Sequence, residues 1–178
     1  MTPSPRRTKP SFSLAQKDGE LDALVQATDH RTLALWAIDC AGRVLHVFEG
    51  TYPGDPRPRT ALTVCREWTD TGEFSMAVIR KASLDAHAAA RDAGEDSPAR
   101  SAARAAGQAV ATAHVRTHAP GAALYAQQAV FRAADPDDAD AAVAREREWQ
   151  VRHLRSLRDG DDPGTGRPEY LKAERTPS

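Results

Sequence analysis

Apolar residues recur along most of this chain at steps of three and four, the period that turns one face of a helix inward. The run from His30 to Gly50 shows it most clearly, with Leu33, Trp36, Ala37, Cys40, Val44, Val47 and Phe48 on one stripe. Leu62, Cys65, Trp68 and Thr69 repeat the pattern in the next segment. Phe74, Val78 and Leu84, with Ala77 and Ala88 beside them, supply the apolar face of the one after. No window alternates apolar and polar residues long enough for a half-buried strand. The punctuation between periodic segments predicts helices near 19–28, 30–50, 56–70, 73–93, 98–117, 120–134 and 137–157.

Three of the starts share one device, a capping Asp or Ser followed by proline: Asp55-Pro56, Ser97-Pro98 and Asp135-Pro136. The side-chain oxygen can accept from an orphan backbone N–H, and proline fits the first helical position, where no N–H is needed. Asp138 adds favourable negative charge to its first turn. Gly50, Gly72 and Gly94 mark stops.

Composition sharpens this picture. Of 34 alanines, 25 lie between Ala82 and Ala144, and alanine favours helix over strand. A buried alanine methyl contributes about 0.8 kcal/mol, against roughly 1.5–3 kcal/mol for Leu or Phe. The later helices must therefore approach closely to form a core. The expected fold class is all-α, a single-domain bundle or stack of about six to seven antiparallel helices. No repeat of fixed period argues for a solenoid. Residues 1–17 and 159–178, rich in Pro, Gly, Ser and charge, are expected to be disordered tails around an all-helical domain at 18–158.

The formal net charge is −1 and the pI about 6.6, so the total gives no electrostatic footprint for nucleic acid. The basic N-terminus is followed by no apolar run, and no stretch approaches the roughly 20 apolar residues of a membrane span. The expectation is a soluble cytoplasmic protein with no nucleic-acid or membrane partner. Cys40 and Cys65 have no zinc-type spacing, which suits a reducing compartment; a Cys40–Cys65 bridge is the alternative.

Candidate chemistry centres on histidines. His114 and His118, four residues apart, would share a face if the helix continued through both. They lack the glutamate of an H-E-x-x-H metal site, since Val115 stands in its place. Metal binding would need further ligands such as His87 and Asp39. The other reading is an interhelical polar network, with His118 near a helix end ahead of Pro120. Asp39, within LWAIDC, sits on the border of the apolar stripe and needs a partner, for which Arg57, Arg59, Arg80, Arg91 and Arg104 are candidates or a histidine. Arg57 and Arg59 oppose the helix dipole in a first turn, so each should have an acidic partner. The candidate pocket or network is Asp39, Arg57, Arg59, Glu73, His87, Arg91, His114 and His118. No nucleophile elbow, P-loop or G-x-G-x-x-G is present, and GDDPGTG lies in the tail. The residues therefore designate no catalytic, cofactor or metal position.

LALWAIDCAGRVLHVFEGTYPGDPRPRTAL resembles the opening of an actinobacterial immunity-protein family with an immunity-5-like domain. The similarity continues through the tryptophan and Gly-Glu turn of REWTDTGE, DAHAAAR, ARAAGQAVATAHVRTHAPGAALYA and REREWQ, about residues 30 to 153. Gly42 and His46 depart from it, where an acidic and a small or apolar residue are expected. The resemblance implies a small cytoplasmic, non-enzymatic protein that binds and neutralises a cognate toxin. The exposed acidic segment 135–141 is one expected contact. The alternative is a small-molecule-binding or resistance protein, or an enzyme of specialised metabolism, using an interhelical His/Asp/Arg pocket. A helical interaction module, and a homodimer through alanine-rich faces, complete the readings.

Overall fold

The computed structural model describes residues 11–160. Seven α-helices fill the described residues: α1 Gly19–Gln26, α2 His30–Thr51, α3 Arg57–Thr71, α4 Met76–Asp92, α5 Pro98–Thr112, α6 Ala119–Ala133 and α7 Ala139–Asp159. A single 3-10 turn, Arg116–His118, links α5 to α6, and the described residues contain no strand. Among them, no helix is long and apolar enough to cross a membrane. Of the tails expected at 1–17 and 159–178, residues 1–10 and 161–178 lie outside the described residues. Within the rest of the first, the Phe12 ring rests 5.6 Å from that of Phe131.

Two helices form the centre. α5 packs against α2, α3, α4 and α6, and α2 packs against α3, α5, α6 and α7. Their burial is wider than a single stripe. In α2, Leu33, Ala34, Trp36, Ala37, Ile38, Cys40, Ala41 and Leu45 are all essentially inaccessible. In α5, Ala102, Ala103, Ala105, Ala106, Gly107 and Ala109 are buried together. In α5 the small side chains let four neighbouring helices approach closely.

Capping follows the sequence in part. Ser97 Oγ accepts from Arg100 N at 3.1 Å as the Ser-Pro device predicts. Asp55 serves differently: its carboxylate accepts from the Arg57 backbone and guanidinium. Asp135-Pro136 opens a turn, closed by Asp138 N donating to Asp135 O at 2.9 Å, and α7 begins only at Ala139. Gly72 ends α3 in the left-handed region at φ 72°, which a residue with a Cβ rarely adopts.

Two expectations change. Phe74, Val78 and Leu84 do not face the core; they are 49%, 50% and 55% exposed. α4 starts at Met76, capped by Ser75, and its inward edge is Ile79, Ala82, Ala86, Ala89 and Ala90. α5 offers α4 a surface of small residues, so the alanine edge of α4 can approach and its large residues turn outward. Second, α5 ends at Thr112 instead of 117. Val115 is extended, which breaks the shared face expected of His114 and His118. His30 Nε2 donates to the freed Thr112 carbonyl at 2.5 Å. Arg116 reaches back to three carbonyls that end α1, those of Val25, Gln26 and Thr28.

Polar side chains stitch α7 to the centre. Gln150, fully buried, donates to Ala123 O at 3.0 Å and accepts from Gln127 Nε2 at 2.8 Å, while its carbonyl takes the Trp36 indole N–H at 2.9 Å. The buried Glu146 carboxylate receives Arg43 through both Nε and Nη2, and the guanidinium lies 4.0 Å from the Trp149 ring centre.

Candidate functional site

α5 is buried on nearly all sides, so the few positions that reach solvent define a seam. Beyond Pro98 these are Arg100, Arg104, Gln108 and Ala111, spaced at four, four and three residues. α4 runs beside this seam, and its His87 lies over Gly107. A Cβ at position 107 would stand 2.8 Å from both Cε1 and Nε2 of the imidazole. The glycine is thus the seat of the ring. His87 Nδ1 is buried without a hydrogen-bond partner among the described residues. Burial, then the charges of Arg104, Arg91 and His118, hold the His87 pKa below its ordinary value. A neutral imidazole therefore sits in cationic surroundings.

Further basic and polar side chains extend the site toward α6. His118, at the entry to α6, donates from Nδ1 to Gln108 Oε1 at 2.8 Å. The Arg104 guanidinium lies 5.9 Å from the Tyr125 ring centre. Arg132 donates to Ser101 Oγ at 2.9 Å and to Asp96 Oδ1 at 2.8 Å. Burial lowers the Arg132 pKa, and the charges of Arg100 and Arg104 act in the same direction. Elsewhere several arginines meet carboxylates, Arg43 with Glu146, Arg57 with Asp55 and Asp92, Arg59 with Glu49, Arg147 with Asp18 and Glu20, while Arg31 and Arg116 bond backbone carbonyls instead and Arg66 and Arg158 make no ion pair among the described residues. Arg91, Arg100 and Arg104 make no ion pair among the described residues. The seam thus concentrates positive charge that the fold leaves uncompensated, on a chain whose total charge is −1.

Toward the start of α4 the same seam becomes apolar. Met76, Ile79, Leu84, Ala111 and His114, with Arg80 and Ser83, line an open groove of about 370 Å³. Ser83 Oγ donates to Gly107 O at 3.1 Å, which pins the two helices at the junction of the apolar and cationic ends. Phe74 and Val78 carry the apolar surface around α4 toward Val64 and Trp68 of α3.

The residues singled out by sequence divide. His87, Arg91 and His118 come together at the seam. His114 is exposed and lines the apolar groove, its ring 6.4 Å from that of Phe74. Asp39 joins α2 to α7, accepting from His153 Nε2 at 2.8 Å, so a histidine, the alternative to the five arginines, is among its partners. Arg57 and Arg59 find the acidic partners their positions require. Arg57 bridges Asp55 to Asp92 at the end of α4, and Arg59 meets Glu49 at the end of α2. Glu73 is exposed in the turn between α3 and α4. The acidic segment 135–141 is exposed apart from Ala139. Arg100, Gly107 and Tyr125 belong to the seam but did not stand out in the sequence; Arg104 had been considered only as a partner for Asp39. The available signal was a lone glycine inside an alanine helix, with Arg100 and Arg104 four apart on it.

Such an arrangement offers guanidinium and imidazole donors to carboxylate or phosphate oxygens beside a surface for apolar side chains. Among the described residues no three His, Cys, Asp or Glu side chains gather as a metal site. Cys40 and Cys65 are free and buried. Burial pushes the Cys40 thiol up strongly and the Cys65 thiol up to about 12, so neither is a ready thiolate.

A family model described as Imm-5 like putative immunity protein matches residues 23–157, which span all of α2 to α6, the second half of α1 and most of α7. No curated protein and no solved structure matches the chain.

Proposed function

This chain belongs to the Imm-5 like putative immunity protein family, and on that premise we propose that it is a non-enzymatic immunity protein that binds and neutralises a cognate toxin in the cytoplasm. The observation that carries this reading is the family match over residues 23–157, nearly the whole helical fold. The fold suits the role. Helices fixed by buried glutamine and ion-pair contacts form a rigid body, so little ordering entropy opposes association. An uncompensated charged seam provides a means of steering a partner of opposite sign.

The test is co-expression and co-purification with the toxin encoded by the neighbouring gene, together with growth protection. A stable complex and restored growth are expected. Absence of both, with the toxin active, would overturn the reading.

A second reading is a small-molecule-binding or resistance protein. One observation favours it: His87, Arg91 and His118 converge, with the His87 Nδ1 buried and unpartnered. It predicts saturable binding of a small organic acid, lost in His87→Gln with folding preserved.

A further inference from the structure

We propose that the seam between α4 and α5 is the toxin-docking surface, and that its occupant is a toxin segment carrying carboxylates at one end and apolar side chains at the other. This inference rests on the immunity reading and gives it a place and a partner chemistry.

Three observations converge on one strip of surface. Arg91 on α4 and Arg100 and Arg104 on α5 lack carboxylate partners among the described residues, whereas Arg43, Arg57, Arg59 and Arg147 have them. Leaving like charges together without internal compensation is unfavourable for folding, and an acidic partner relieves it. Second, large exposed apolar side chains are concentrated here. Five are strongly exposed among the described residues, and Phe74, Met76, Val78 and Leu84 are four of them, all on α4 or its entry. Met76 and Leu84 line the groove beside α5, Phe74 and Val78 line the one toward α3, and Ile79 borders both; exposed apolar surface of this kind marks an interaction site. Third, the two ends are continuous along α4. Arg80, Leu84, His87 and Arg91 succeed one another at four, three and four residues, on one helical face.

The third point selects the occupant. A small anion would use only the cationic end and leave the apolar groove of about 370 Å³ unexplained. A nucleic acid would gain nothing from Phe74, Val78 and Leu84. A protein segment with acidic residues followed by large apolar ones uses both ends. Its carboxylates would meet Arg91, Arg104 and the donors beside His87, and its apolar side chains would settle between Met76, Ile79 and Leu84. The carboxylate contacts speed encounter, and the apolar contacts set the lifetime.

The experiment uses the full chain and the toxin of the neighbouring gene, with binding followed by surface plasmon resonance and function by growth protection. Two double variants are compared with wild type, Arg91→Glu/Arg104→Glu and Met76→Asp/Leu84→Asp. All four side chains are surface groups, and melting temperatures near wild type confirm folding. Arg152→Glu on α7, 66% exposed, is the control. The charge reversal is expected to slow association on the order of 10- to 1000-fold and to abolish its salt dependence. The apolar variant is expected to speed dissociation and to abolish protection, with Arg152→Glu behaving as wild type. If both double variants bind and protect like wild type, the docking surface lies elsewhere while the immunity role stands. If wild type itself gives no protection, the immunity role falls and this occupant with it. Light scattering that shows the free protein paired through the α4 face would make the occupant a second copy, and tight binding of inorganic phosphate that survives Met76→Asp/Leu84→Asp without any toxin complex would make it a small anion. Either result overturns the proposal.

Discussion

Replacing Gly107 with alanine should destabilise this protein, although the same change in a typical helix interior stabilises by about 1 kcal/mol. The new methyl carbon would stand 2.8 Å from two atoms of the His87 ring and 3.0 Å from a third. Carbon contacts are optimal near ~3.5–4.0 Å, so the ring must retreat by close to an ångström. The ring is half-buried against α5, and overpacking of this kind costs about 1–3 kcal/mol. The loss should match or exceed the gain in helix propensity, for a net destabilisation of about 0–2 kcal/mol in wild type. In a His87→Ala background the obstruction is gone. There Gly107→Ala should stabilise by about 1 kcal/mol, through propensity alone. The assay is urea denaturation of the four proteins of this cycle, followed by far-UV circular dichroism. A coupling of about 1–3 kcal/mol between the two positions is expected, with the sign of the alanine effect reversing between backgrounds. Equal stabilisation by Gly107→Ala in both would refute the seating of the imidazole on α5.

Other expectations follow from the same geometry. Gln150→Leu strands the Gln127 amide in the interior and should cost about 1–3 kcal/mol, read by thermal denaturation. Arg43→Met leaves the Glu146 carboxylate, 5% exposed, without its counter-charge, a loss of about 3 kcal/mol. Arg43→Met/Glu146→Met should recover much of that loss, and a double variant less stable than the single would contradict it. Because the folded His87 pKa lies below its ordinary value of about 6.5, its contribution is complete above that pH and fades as pH falls through it. The stability advantage of wild type over His87→Gln should therefore shrink on acidification from neutral pH. Asp18, held low by the Arg147 guanidinium, and Asp55, held low by Arg57, contribute above the ordinary carboxylate range and lose that contribution only below it. The two windows separate in a stability–pH series.

The fold was legible because its signals were local. Helical periodicity, alanine density and punctuation at Ser97, Gly72 and Pro120 each act over one or two turns, and all agree. What was misread depended on which neighbour a face would meet. Phe74, Val78 and Leu84 read as core because they are large and apolar. The small-residue surface of α5 gave alanine the inward positions instead. The end of α5 was placed too late because nothing in VATAHVRTH breaks a helix strongly. The chain leaves helical geometry where His30 takes over the Thr112 carbonyl. Of the polar set, His87, Arg91 and His118 are neighbours because α4 and the entry to α6 both pack on α5. Asp39 belongs to the α2–α7 contact, since α2 presents that edge away from α4. Arg57 and Arg59 could be read as paired from helix electrostatics, although their partners, Asp92 and Glu49 among them, depend on tertiary packing. Gly107 was the weakest signal and the most informative one, a single residue whose meaning depends on a ring reaching it from another helix.

The most direct measurement is the stoichiometry of neutralisation. Purified toxin at fixed concentration is titrated with this protein, and residual toxin activity is recorded after equilibration. A binder that blocks the toxin by occupancy gives a linear fall that ends at a fixed ratio of the two chains, and inhibition that reverses on dilution below the dissociation constant. Complete neutralisation by a small fraction of an equivalent, deepening with time, would show turnover and contradict inhibition by binding.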